Sequence, residues 1–166
     1  MRKILLLVPL ALALLSLPIA GFAQQGNVTV SATVTGYIEV TFNYNQVVYP
    51  SISAGSTDVP APNQQNGIYN VTVNTNYDFT VKARGTNFSD GAGHTFSISN
   101  LKMDTDPSVS GLSLNNAVAL STSDVTIDSN VPYTTEIHYH GYWLSIPTGQ
   151  YAGTYTSTVT ITYNNV

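Results

Sequence analysis

The sequence contains no cysteine. That excludes a disulfide framework, thiolate metal cages and cysteine nucleophiles. Charge is scarce as well: Asp, Glu, Lys and Arg make up 8% of the 166 residues, and only five of those residues are basic. A chain so poor in cations has no basic stripe to neutralise phosphates, which excludes nucleic acid as a partner. Neither GxSxG nor HExxH occurs, and the glutamates Glu39 and Glu136 both sit inside strand patterns, so an enzyme is not expected. After the first two dozen residues there is no further long apolar run and no 3.6-residue hydrophobic period.

Those first residues have an organisation of their own. Arg2 and Lys3 precede the apolar run ILLLVPLALALLSLPIAG, and Gly21-Phe22-Ala23 supplies the small residues that a signal peptidase requires. We expect residues 1–23 to be a signal peptide cleaved after Ala23. The run is nearly long enough to span a bilayer, so a retained anchor is the competing reading, with Pro9 and Pro18 favouring cleavage. Cleavage leaves three basic against nine acidic residues, a formal charge of −6, and nothing for stable membrane insertion. The rest is rich in Thr, Ser, Asn, Tyr and Val, the composition of a secreted β-protein.

Strand-like runs alternate with turn clusters along the remainder. The pattern predicts strands at 28–35, 37–43, 46–52, 68–74, 77–84, 94–103, 112–119, 124–128, 133–146 and 151–163. Such spacing predicts an all-β fold, a single antiparallel immunoglobulin-like β-sandwich with a jelly-roll-like variant as the alternative. Parity sends Phe79, Val81 and Ala83 to the core, and Tyr155, Val159, Ile161 and Tyr163 likewise, opposite a row of threonines.

Candidate chemistry is sparse. Glu136, His138 and His140 share one strand face at period two, a spacing that can ligate zinc or copper. A metal site needs a third or fourth ligand, from His94 or an aspartate, and nothing local supplies it, so the blander expectation is an outward polar face opposite a core of Ile137, Tyr139 and Trp143, with no metal. Asp104 and Asp106, with Asp90 and Asp128, offer oxygens to calcium, the one cofactor considered, although aspartates commonly cap turns. Lys82 or Lys102 could form an isopeptide bond only with a buried partner and a catalytic glutamate. Asn27, Asn70 and Asn87 lie in N-x-[ST] sequons and are glycosylation candidates. Eleven tyrosines and one tryptophan raise carbohydrate binding, but most share parity with core residues.

The opening of the expected mature chain is the most informative stretch, since strict alternation runs from Val28 to Phe42, longer than one home-sheet strand requires. Gly36 divides it. Ile38, Val40 and Phe42 have the bulk of home-core residues, whereas Val28, Val30, Ala32 and Val34 are smaller and directly follow the expected cleavage site. The first half therefore reads either as a second strand of the same sandwich, bent at Gly36, or as a strand donated to a neighbouring copy.

A signal segment, an alternating strand behind it, a cysteine-free sandwich and the ending Ile146-Pro-Thr-Gly-Gln-Tyr-Ala-Gly-Thr-Tyr155 resemble archaeal bundling pilins, archaeal thread subunits and TasA-like biofilm fibre proteins. The resemblance implies head-to-tail polymerisation by donor-strand complementation outside the cell, in a pilus-like filament for adhesion or biofilm. Residues 24–36 are then donor strand and hinge, and 37–166 the acceptor sandwich. Its partners are identical subunits in a homopolymer, with neighbouring filaments and cell-surface glycans as further candidates. The alternative is a monomeric secreted or surface-attached sandwich that binds carbohydrate or mediates adhesion.

Overall fold

The computed structural model describes residues 29–133 and 135–166. The expected signal peptide, Asn27 and Val28 lie outside the described residues. The described residues fall into two units, 29–33 in the first and Val34–Val166 in the second. Residues 29–33 of the first carry no helix or strand and are exposed.

The second unit is built from β1 (Ile38–Phe42), β2 (Val59–Pro60), β3 (Asn70–Thr75), β4 (Phe79–Gly85), β5 (Phe88–Ser89), β6 (Thr95–Phe96), β7 (Leu101–Asp106), β8 (Val118–Ala119), β9 (Val125–Val131), β10 (Thr135–Leu144) and β11 (Val159–Asn165). Three short 3-10 turns lie at Gln64–Asn66, Ile98–Asn100 and Val109–Gly111. One sheet runs β1-β3-β10-β7-β8, with β2 pairing the end of β10; a second runs β11-β4-β9; β5 and β6 form a small hairpin. Every pairing is antiparallel, as expected for an all-β sandwich. Among the described residues no helix is long and apolar enough to cross a membrane.

Alternation explains the core. Val71, Val73 and Thr75 of β3 face Phe79, Val81 and Ala83 of β4, all buried. Leu101 and Met103 of β7, Ile127 and Val131 of β9, and the half-buried Val159, Ile161 and Tyr163 of β11 complete it. Burying each such side chain stabilises by roughly 1.5–3 kcal/mol. The threonines at 158 and 160 face solvent, as parity predicts.

β10 reverses the expectation for its faces. His138 and His140 are buried, at 1% and 0% exposure, whereas Ile137 is 43% exposed. The imidazoles are buried, while of the three expected core residues Ile137 is exposed, Tyr139 half-buried and only Trp143 buried. Parity failed because the C-terminal half of β10, from His140 to Leu144, is buried on both faces. Ala61 donates to the Tyr142 carbonyl (2.8 Å) and Gln64 Oε1 accepts from the Tyr142 amide (2.9 Å), laying the 61–67 turn against the strand. On the outer side Trp143 and Leu112 are buried around Gly141. A Cβ on Gly141 would stand 2.6 Å from Trp143 Cη2. Gly141→Ala is therefore expected to cost about 1–3 kcal/mol by overpacking, read as a lower urea midpoint.

Other expectations also shift. Residues 46–52 form no strand, and neither does any described residue before Ile38. The 94–103 run is broken by the Ile98–Asn100 turn, 112–119 reduces to Val118–Ala119, and 151–163 forms a strand only from Val159.

Candidate functional site

Two features stand out in the second unit: a clamped root for the N-terminal arm, and an open groove between the sheets. The root is held by the β3–β4 turn. Asn76 Nδ2 donates to the Thr35 carbonyl (3.0 Å), and the Tyr37 amide donates to Asn76 Oδ1 (2.9 Å). Thr75 Oγ1 donates to the Tyr37 carbonyl (3.0 Å), and the Tyr37 hydroxyl to Asn74 Oδ1 (3.0 Å). The Tyr77 ring packs so close to Gly36 that an added Cβ would lie 2.6 Å from its Cε1. Glycine at the expected hinge thus permits a close approach of ring and backbone. Before this clamp Val30 and Val34 are 87% and 81% exposed, and Ala32 is exposed too.

The groove encloses ≈ 1270 Å³. Phe42, Tyr142 and Leu144 line it from one sheet, Val159 and Ile161 from the other, and Phe88 and Phe96 from the hairpin. β11 pairs only with β4, so among the described residues its other edge has no partner strand. The segment 44–54 lies along the opening without strand pairing. Pro50 lacks an amide hydrogen, which suits this stretch poorly to a ladder despite its alternating pattern. Tyr44, Val47, Tyr49 and Ile52 pack inward from it, and the buried Tyr49 hydroxyl finds no hydrogen-bond partner.

Beneath the groove runs a buried polar seam. His140 Nδ1 bonds the Tyr44 hydroxyl, and His140 Nε2 the Tyr163 hydroxyl (2.8 Å). The Tyr44 and Tyr142 hydroxyls bond each other at 2.6 Å. Burial pushes the His140 pKa down to about 3 and pushes all three tyrosines up. The ring is therefore neutral at pH 7, donating from one nitrogen and accepting at the other. Such a satisfied network favours one register between the sheets.

The other sequence candidates are dispersed. Both ring nitrogens of His140 are engaged by tyrosine hydroxyls, while Glu136 stands near His138. Asp104 is buried, accepting from the amides of Thr105 (3.0 Å) and Ser113 (2.8 Å). Asp90 accepts from His94 Nδ1 (2.6 Å), Asp106 from the Ser108 amide (2.7 Å) and Asp128 from the Ser129 amide (2.7 Å). Lys102 pairs with Asp58 at 2.9 Å. Asn70 is partly buried, with its Nδ2 donating to the Gly67 carbonyl (2.7 Å), whereas Asn87 is exposed. Sequence reading missed the Asn76 clamp and the groove, although the paired asparagines Asn74 and Asn76 in a turn were visible as a local signal.

No protein-family model matches the chain, and no curated protein matches it. The functional reading therefore rests on the residues and their geometry.

Proposed function

We propose that this protein is a secreted structural subunit that polymerises head-to-tail, the arm of one copy completing the sandwich of the next. The observation that carries this reading is the pairing of complementary halves on one chain: an unpaired β11 edge beside an apolar groove, and an exposed arm of alternating small apolar residues. β11 has seven residues, about 23 Å of edge, and the stretch 28–34 has the same length. A donated strand would hydrogen-bond that edge and direct Val28, Val30, Ala32 and Val34 between the sheets. The unpartnered Tyr49 hydroxyl offers a donor to its backbone. Because the contact is heterologous and does not close, it builds a filament, and it shields an edge that otherwise invites disordered aggregation.

Removing residues 24–35 is expected to leave a folded monomer that forms no filaments under negative stain, yet still accepts a synthetic 24–35 peptide. Assembly of the truncated chain, or a full chain that stays monomeric at high concentration, would sink the reading. A second reading has one favourable observation: Tyr151 is 68% exposed and stacks on His94 at 4.3 Å, a platform suited to a sugar ring. Retention on polysaccharide columns that is lost in Tyr151→Ala would support that adhesive role.

A further inference from the structure

A second pocket opens at the β7–β9–β10 end of the sandwich and shares no lining residue with the groove. It encloses ≈ 450 Å³ and is lined by Asp128, Glu136 and His138 among others. His138 is 1% exposed, yet neither of its ring nitrogens has a hydrogen-bond partner. A buried imidazole without partners forfeits the hydrogen bonds it makes in water, and sites of this kind call for a ligand. Glu136 Oε1 stands 3.4 Å from Nε2, with the carboxylate side chain still 45% exposed.

That separation is informative. Two donors each about 2.1 Å from a tetrahedral ion stand roughly 3.4 Å apart, along one edge of the coordination tetrahedron. Nitrogen beside carboxylate oxygen is a donor set for borderline divalent ions, not for calcium, which takes six or more oxygens. Asp128 faces the same pocket from β9, its Oδ1 now accepting from the Ser129 amide at 2.7 Å. Among the described residues no three such side chains already converge on one point, so two ligands are preset and the third must turn inward.

We propose that this pocket binds a divalent cation of the zinc class through His138 and Glu136 of β10 and Asp128 of β9, with water completing the shell. β9 belongs to the three-stranded sheet and β10 to the six-stranded one, so the ion ties the two sheets together. In a chain without cysteine it fills the place of an inter-sheet disulfide.

The test titrates the full chain with Zn²⁺ alone, reads the melting temperature, and repeats the binding with Co²⁺ to read its visible spectrum. A saturating excess, about a hundredfold over Kd, should raise the melting temperature by on the order of 5–10 °C. Bound Co²⁺ should show the intense bands of tetrahedral coordination, and Ca²⁺ should give no shift. Glu136→Gln and Asp128→Asn keep the side-chain shapes and should fold, but should lose the zinc shift. His94→Gln, which removes the Asp90–His94 surface pair, should keep it. The proposal is overturned by no shift at millimolar Zn²⁺, by a shift that survives in both carboxamide variants, or by one that disappears in His94→Gln.

Discussion

A chain carrying Val30→Asp and Val34→Asp is expected to remain monomeric under conditions in which the proposed filament forms, and to melt at the parent's temperature. Both valines are more than four-fifths exposed in the single chain, so a carboxylate there meets water and leaves the fold unchanged. In the proposed filament the same positions enter a neighbour's groove. Two buried valines contribute roughly 1.5–3 kcal/mol each, and an unpaired buried carboxylate adds a further penalty of several kcal/mol. Together these weaken subunit association by at least about a thousandfold. Sedimentation of the variant beside its melting curve separates a loss of assembly from a loss of folding. A variant that still assembles would show that the arm does not enter a groove. Val30→Ile with Val34→Ile should keep assembly, since the groove needs apolar bulk at those positions.

The second large effect is acid unfolding. His140 is held down to about pKa 3 by burial, against an ordinary value near 6.5, and His138 is shifted in the same direction. As pH falls below 6.5 the unfolded chain takes up a proton at His140, while the folded chain cannot until about pH 3. Proton uptake thus favours the unfolded state, and the full stability present above pH 6.5 is lost progressively across that window. For His140 the loss amounts to on the order of 5 kcal/mol, comparable to the whole stability of many domains. Glu136, Asp128 and Asp106 partly offset the shift at His138. Asp104 works the other way: burial raises its carboxyl, so acid relieves a small penalty there. Melting curves at pH 7, 5.5 and 4 should therefore fall steeply. His140→Gln, which keeps a donor and an acceptor for the tyrosines, should start lower at pH 7 but lose less on acidification. An equally steep pH dependence in that variant would assign the effect to other groups.

The all-β class and most of the paired strands were legible because period-two alternation is clear wherever one face meets the core and the other meets water. β4 shows this best, with Phe79, Val81 and Ala83 buried and Arg84 exposed. β10 was legible as a strand but not in its orientation, because Tyr139, Tyr142 and Trp143 place bulk on both faces. What decides its faces is the remote packing of Leu112 and the 61–67 turn, and alternation within the strand carries no trace of it. Segment 46–52 shows the converse failure. Its Val47, Tyr49 and Ile52 do pack inward, but no neighbouring strand supplies a ladder, so the pattern is present and the strand is absent. The groove could not be read at all, since it is defined by an edge that no strand among the described residues pairs. The Glu136–His138 spacing was visible; the burial of His138 without partners was not.

The clamp at Thr35–Tyr37 has a mechanical consequence. If arms link successive copies, tension along the filament enters each subunit at Gly36. A pull along the axis of β1 then strains the Asn76, Thr75 and Asn74 bonds together with the five-residue ladder to β3. Bonds strained side by side must break nearly at once, whereas bonds strained in sequence open one after another. Joined this way, each subunit would resist stretching by shear across β1 and β3.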